Sequence, residues 1–282
     1  MTARHWRPRR RPTILISLLL LFLGYIFLIE PQWVEVTRHE AWFKTVPPAF
    51  DGLVVAHLSD LHIVRYGVRE RRVLAMLAEA KPGLILITGD FLATGSDRAA
   101  VQQFLKELRP LRTPFGVWAV LGNHEHTDRL AEGREAVRRF FTDADVALLV
   151  NEGGRIGRGV DTLTLIGVDD PYTGHDRLSE ALKGMQRTPF AILLSHSPEI
   201  FFKADLARFD LVLAGHTHGG QVRVPWFGAL WLPEGSEEYE SGWFQGSTAR
   251  MFVTRGVGTS VLPIRFLARP EIALITLRRI VG

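Results

Sequence analysis

Between Asp60 and His218 the chain repeats one arrangement five times: a short apolar run, then aspartate, asparagine or histidine. Residues 53–56 lead to Asp60 and His62, and residues 84–87 to Gly89-Asp90. Residues 117–121 lead to Gly122-Asn123-His124-Glu125, residues 191–194 to His196, and residues 211–214 to Gly215-His216-Thr217-His218. Runs this short and this apolar read as strands buried on both faces. Between several of them the spacing turns helical, as in Val73, Leu74, Leu77 and Ala80, or Val101, Phe104, Leu105 and Leu108. That alternation predicts an α/β domain. From Gln221 onward only β-like pieces follow, at 251–254 and 272–277, so its second half is β-rich. Ligands in open α/β sheets gather outside the carboxyl ends of strands, so the five polar strand ends point into one crevice.

The residue types at those ends are metal donors. Asp60, Asp90, Asn123, His62, His124, His196, His216 and His218 combine carboxylate, amide and imidazole, a set that suits Zn, Mn or Fe. The chain has no cysteine, which excludes thiolate ligands and disulfides. One ion needs three or four donors, whereas seven or eight fit two ions sharing a carboxylate, a pair that activates a water and neutralises phosphate oxygens. Taken singly, each residue is better explained as a turn residue or a cap. Gly89-Asp90 alone carries nothing, and Asp60-x-His62 carries somewhat more. Gly215-His216-Thr217-His218-Gly219-Gly220 carries most, because two histidines between glycines suit close approach to ions.

In this order, Ser59-Asp60-Leu61-His62, Gly89-Asp90, Gly122-Asn123-His124-Glu125, Ser195-His196 and Gly215-His216-Thr217-His218 resemble the signature of the calcineurin-like metallophosphoesterases. The resemblance covers about residues 50 to 282. The stretches 255–260, 263–265 and 269–271 resemble the small bacterial membrane-bound branch of that family. It implies a four-layer α/β/β/α sandwich holding two divalent ions (Mn, Zn or Fe), with a bridging hydroxide attacking phosphomono- or phosphodiesters. By the same resemblance Asp60, His62 and His218 would hold one metal, Asn123, His196 and His216 the other, and Asp90 would bridge them. His124 would act as the acid or charge stabiliser facing the leaving-group oxygen. Lipid-linked or cell-envelope substrates lead, with UDP-2,3-diacylglucosamine pyrophosphatase activity of lipid A synthesis as an alternative. A non-catalytic membrane scaffold is the alternative of another class; all eight positions being filled favours the enzyme.

The other organising feature is the N-terminus. Residues 13–29 (TILISLLLLFLGYIFLI) carry no charge and would span roughly 25 Å as a helix, the short end of what crosses a bilayer. No small-residue cleavage site follows, so an uncleaved anchor is expected. Arg4, Arg7, Arg9, Arg10 and Arg11 precede it, and Glu30, Glu35, Arg38, Glu40 and Lys44 follow. The positive-inside rule then places a 1–12 tail in the cytoplasm, a single-pass anchor in the inner membrane and the catalytic domain outside. A tether at 30–49 would lead to the catalytic domain at 50–282. The net charge of +4 belongs to the tail: without its five arginines the remainder is +4 − 5 = −1, and no nucleic-acid partner is expected.

Several residues outside the motifs have ordinary explanations. His57 reads as a buried core histidine, His126 as a solvated loop residue, and Asp169-Asp170-Pro171 as a turn. Glu125 is a candidate to orient a ligand, and Arg255 and Arg265 are expected to pair with surface carboxylates. In residues 225–233 (PWFGALWLP), Trp226, Phe227 and Trp231 are expected to pack on the core. The alternative is an exposed apolar loop beside the metal site, held against the membrane.

Overall fold

In a computed structural model of the chain, residues 10–126, 133–186 and 188–281 are described. Three arginines of the basic tail, Arg4, Arg7 and Arg9, lie outside them. The chain begins with α1 (Arg10–Gly24), which runs on through a π-helical turn, Tyr25–Ile29, and a 3₁₀ turn, Glu30–Gln32. Thr13–Gln32 is long and apolar enough to cross a membrane, and its leucines are exposed.

The strands follow the apolar runs. They are β1 (Glu35–Phe43), β2 (Val54–Leu58), β3 (Leu84–Thr88), β4 (Val117–Val120), β5 (Val146–Leu148), β6 (Glu152–Arg158) and β7 (Asp161–Gly167). The second half adds β8 (Phe190–Leu194), β9 (Leu211–Ala214), β10 (Arg223–Val224), β11 (Gly228–Ala229), β12 (Gly242–Gln245), β13 (Arg250–Val253) and β14 (Glu271–Arg279). One six-stranded sheet has the order β1-β14-β2-β3-β4-β5, the other β12-β13-β9-β8-β7-β6. In the first, β2 to β5 are parallel; in the second, β7, β8, β9 and β13 are.

Because side chains alternate along a strand, each sheet has two apolar faces to bury. Leu84 and Leu86 of β3 meet Leu163, Leu165, Ile192 and Leu213 of the other sheet in a core between the two. Ile85 and Ile87 point the other way, onto α2 (Val68–Ala80), α3 (Arg98–Leu108) and α5 (Arg134–Thr142), which follows the short α4 (Asn123–His126). Ile166, Leu193 and Val212 do the same on the far side, against short helical turns carrying Ala181, Ile200 and Phe201. The result is the α/β/β/α sandwich that the resemblance implied.

One segment differs from its reading in the sequence. Residues 35–43 lie within the expected tether, yet they form β1, paired in parallel with β14 over nine residues. Only Ala41 of that strand is buried, so the alternation of apolar and polar residues that marks a half-buried strand is nearly absent.

Candidate metal centre

The carboxyl ends of β2, β3, β4, β8 and β9 meet in one crevice between the sheets, and the connections leaving them are sharply bent. Asp60, His62, Asp90, His216 and His218 all have positive φ, between 41° and 70°. Few non-glycine residues adopt this left-handed region, though Asp, Asn and His tolerate it best. Each such residue costs roughly 1–3 kcal/mol and persists where the surroundings enforce it, typically at functional sites. Two glycines let the bends approach one another. A Cβ on Gly215 would lie 1.9 Å from Ser59 Oγ, and one on Gly122 2.3 Å from Asp90 Oδ1.

The eight predicted side chains come together. Asp60 and Asp90 are buried with His62, His196, His216 and His218, while His124 keeps 22% of its side chain exposed at the rim. The His62 Nδ1–H donates to the Leu92 carbonyl at 3.0 Å and the His196 Nδ1–H to the Thr88 carbonyl at 2.7 Å. Both rings are thereby held in the tautomer that leaves Nε2 as an inward lone pair. Asp90 Oδ2 sits 3.4 Å from His62 Nε2 and 3.3 Å from His196 Nε2. To one side, His218 Nε2 is 3.2 Å from His62 Nε2 and 3.3 Å from Asp60 Oδ1. To the other, His196 Nε2 is 3.1 Å from Asn123 Oδ1 and from His216 Nδ1. His216 Nε2 is buried and has no hydrogen-bond partner among the described residues.

Carboxylate oxygens and imidazole lone pairs crowded this closely repel one another unless cations lie among them, so the donor set fits metal ions. Asp60, His62 and His218 offer donor atoms within 4.8 Å of one another, as do Asp60, Asp90 and His196, and also His62, Asp90 and His124. In the chain alone, burial pushes His62 and His216 down to about 3 and Asp60 up to about 6. Burial disfavours charge on His196 too, but without a cation the Asp90 carboxylate overrides it and holds that ring well above the usual imidazole range, so that a proton on Nε2 stands where a metal ion would take the lone pair.

The family profile of the calcineurin-like phosphoesterases matches residues 53–220. The chain belongs to that family. It is therefore a metal-dependent phosphoester hydrolase, and every candidate donor from Asp60 to His218 lies within the matched residues. Among relatives, it is 32% identical to the uncharacterized metallophosphoesterase YkuE of Bacillus subtilis, over 90% of this chain and 89% of that one. It is 30% identical to the phosphodiesterase YaeI of Escherichia coli, over 90% and 92% respectively. A Bos taurus transmembrane protein with metallophosphoesterase domain is 29% identical over 94% of this chain and 61% of its own.

Around the crevice, several residues behave otherwise than the sequence suggested. Arg265 is fully buried, and its guanidinium donates to the carbonyls of Gly258, Arg255 and Ala268 instead of pairing with a surface carboxylate. Burial lowers it to about 9. Arg255 does meet carboxylates, Glu35 at 3.0 Å and Glu271 at 3.2 Å. His126 is no free loop residue: it lies 2.7 Å from Asp169 and stacks on His175 at 4.0 Å. Tyr172, which the sequence did not signal, tilts over His216 at 4.6 Å. His57 is buried and bonds Thr88 Oγ1 at 2.9 Å, as expected of a core histidine.

Glu125 has the most specific second role. Its carboxylate accepts the backbone N–H groups of Asp90, Phe91, Leu92 and Gly122 at 2.8–3.1 Å. Burial and the Asp90 charge push it up to about 8. Against that, all four of these bonds come from donors, an arrangement that favours the ionised form. Glu125→Gln would turn an amide N–H₂ toward some of those donors. We expect destabilisation of about 3 kcal/mol, read as a lower midpoint in urea, from buried backbone donors left unpaired.

Proposed function

We propose that the chain is a single-pass, membrane-anchored phosphoesterase that works with two divalent ions, Mn, Zn or Fe. Asp60, His62 and His218 would hold one, Asn123, His196 and His216 the other, and Asp90 both. One observation carries this reading: Asp90 Oδ2 stands almost equidistant, 3.4 and 3.3 Å, from His62 Nε2 of the first set and His196 Nε2 of the second. Two ions at such a site supply an activated water and neutralise the phosphate oxygens. The chain's own residues do the rest. The Leu92 and Thr88 carbonyls fix the ring tautomers, and Glu125 fixes the loop that aims Asp90. His124, at the rim and edge-on to His62 at 4.7 Å, would hold a proton toward the leaving-group oxygen.

Metal analysis of the purified protein, with a panel of phosphomono- and diesters, tests the proposal. Two ions per chain and turnover that chelation abolishes and Mn, Zn or Fe restores are expected. Bound metal without turnover on any ester would point to the non-catalytic scaffold. The name of the Escherichia coli relative favours diesters.

The anchor rests on α1 and its continuation to Gln32, on the exposure of their apolar side chains, and on the bovine relative being named a transmembrane protein. The folded catalytic unit then begins at Glu35 and takes in most of the expected tether. The arginine-rich tail favours that unit lying outside the cytoplasm. Alkaline phosphatase fused after Gly282 should be active there, and green fluorescent protein at the same point dark. The reverse pair would put the domain in the cytoplasm and revive UDP-2,3-diacylglucosamine as substrate.

A further inference from the structure

The expectation that Trp226, Phe227 and Trp231 pack on the core is overturned. Trp226 is 100% exposed, Phe227 85% and Trp231 67%. They belong to the β10–β11 hairpin and the strand-free stretch after it. This segment starts directly behind His218, since Val222 to Ala229 follows the 3₁₀ turn His218–Gly220. A second apolar segment lies beside it. Gln221 Nε2 donates to the carbonyls of Ser260 and Leu262, both at 3.0 Å, and Val222 bridges to Phe266. Val261, 92% exposed, Leu262 and Leu267 project from this neighbour. Together the two segments present more large apolar side chains in one place than an isolated surface residue would.

The backbone holds these side chains outward at a cost. Phe227 N–H donates to the Val224 carbonyl at 3.1 Å, closing a turn with Pro225 second and Trp226 third. Trp226 has φ 67°, a conformation that in such turns is normally left to glycine or asparagine. Val261, at φ 61°, and Leu267, at φ 55°, share it, and for a β-branched residue this is an outlier. Strain of this kind persists where the surroundings enforce it, typically at functional sites.

The position of the second segment says what the surface meets. The ring of Phe266 packs on Phe22 of α1 at 5.2 Å, the Arg265 N–H donates to the Ile26 carbonyl at 3.0 Å, and the Ala268 N–H donates to Glu30 at 2.9 Å. Phe22 is seven residues before Ile29, about 10 Å of helix rise inside the apolar run. If that run spans a bilayer, a segment touching it at Phe22 lies at the depth of the acyl chains. At the level of the helix exit, Arg269 stacks on Trp33 at 3.8 Å, the aromatic and cationic pairing that suits an interface.

We propose that the Arg223–Ala229 hairpin and the 260–268 segment form a second membrane contact, which seats the His218 edge of the metal site on the bilayer. The proposal rests on the membrane-anchored reading above. It deepens that reading by assigning the site phosphoesters presented at a lipid surface. Arg265 ties the two together, since it reaches from the membrane segment to the carbonyls of Gly258 and His218, the latter at 3.4 Å.

The chain has no cysteine, so single cysteines can carry an environment-sensitive fluorophore. Full-length Phe227→Cys, Leu262→Cys, Leu20→Cys and Val160→Cys would be labelled and reconstituted into vesicles of phosphatidylcholine and phosphatidylglycerol. Leu20 reports the anchor, and Val160, in the turn that leads into β7 and so at the opposite end from the site, reports the aqueous face. Positions 227, 262 and 20 should show blue-shifted emission and quenching by lipids brominated on the acyl chains, and position 160 neither. Quenching at 20 with 227 and 262 behaving like 160 would overturn the second contact and leave the anchor standing. No quenching at 20 would overturn the anchor, and the contact with it.

Discussion

Asp90→Asn should leave the protein folded, nearly empty of metal and without measurable turnover. The exchange keeps the side chain's size, and asparagine tolerates the positive φ of 53° at this position. It also keeps an oxygen that can accept the His124 N–H, now at 2.9 Å. What it loses is one negative charge at the point where the His62 and His196 lone pairs converge. If that one carboxylate serves both ions, both are weakened at once. Elemental analysis together with a thermal melt separates the effects: an intact melt with lost metal is expected. Full occupancy with full activity would remove the two-ion assignment.

His124→Ala should do the opposite, keeping the metals and slowing the reaction by about 10²–10⁴-fold, the usual cost of losing a positioned acid. The side chain is partly exposed, and its Nε2 is 4.0 Å from Asp90 Oδ2, farther than either His62 or His196. The dependence on leaving group is the sharper measurement. Nitrophenyl esters need little protonation and should lose least, while alkyl esters should lose most. The same ring is also close enough to His62 and Asp90 to share an ion with them. Metal lost together with the imidazole would make His124 a ligand.

How much of this was legible in the sequence depends on what each residue type can signal. The strands carrying the site were legible because both faces of β3, β8 and β9 are buried, so every residue in them is apolar or nearly so. The donors stood out because polar residues broke those runs at the same relative place. β1 was missed for the complementary reason: at the sheet's edge it leaves eight of its nine residues at least partly exposed, and its composition looks like a linker's. The exposed tryptophans were misread because apolarity signals removal from water without saying into what. Arg265 was misread because a charge predicts a partner, and backbone carbonyls cannot be seen as partners until the chain is folded. The caging of Glu125 is invisible for the same reason, although the sequence did make it a candidate to orient a ligand.

The pairing of β1 with β14 bears on how the protein is made. Glu35 lies opposite Glu271, so the register is fixed between residues 271 − 35 = 236 apart. β14 occupies the slot between β1 and β2, which leave the ribosome early and cannot close on each other meanwhile. Contacts of such sequence separation are slow to form, because the loop entropy is lost before any contact repays it. The hydrophobic segment at residues 13–29 therefore emerges and can engage the insertion machinery long before the sheet is complete. Under the proposed anchored topology, biogenesis in this order would favour threading an unfinished chain across the membrane over exporting a finished one, with the first sheet sealed last.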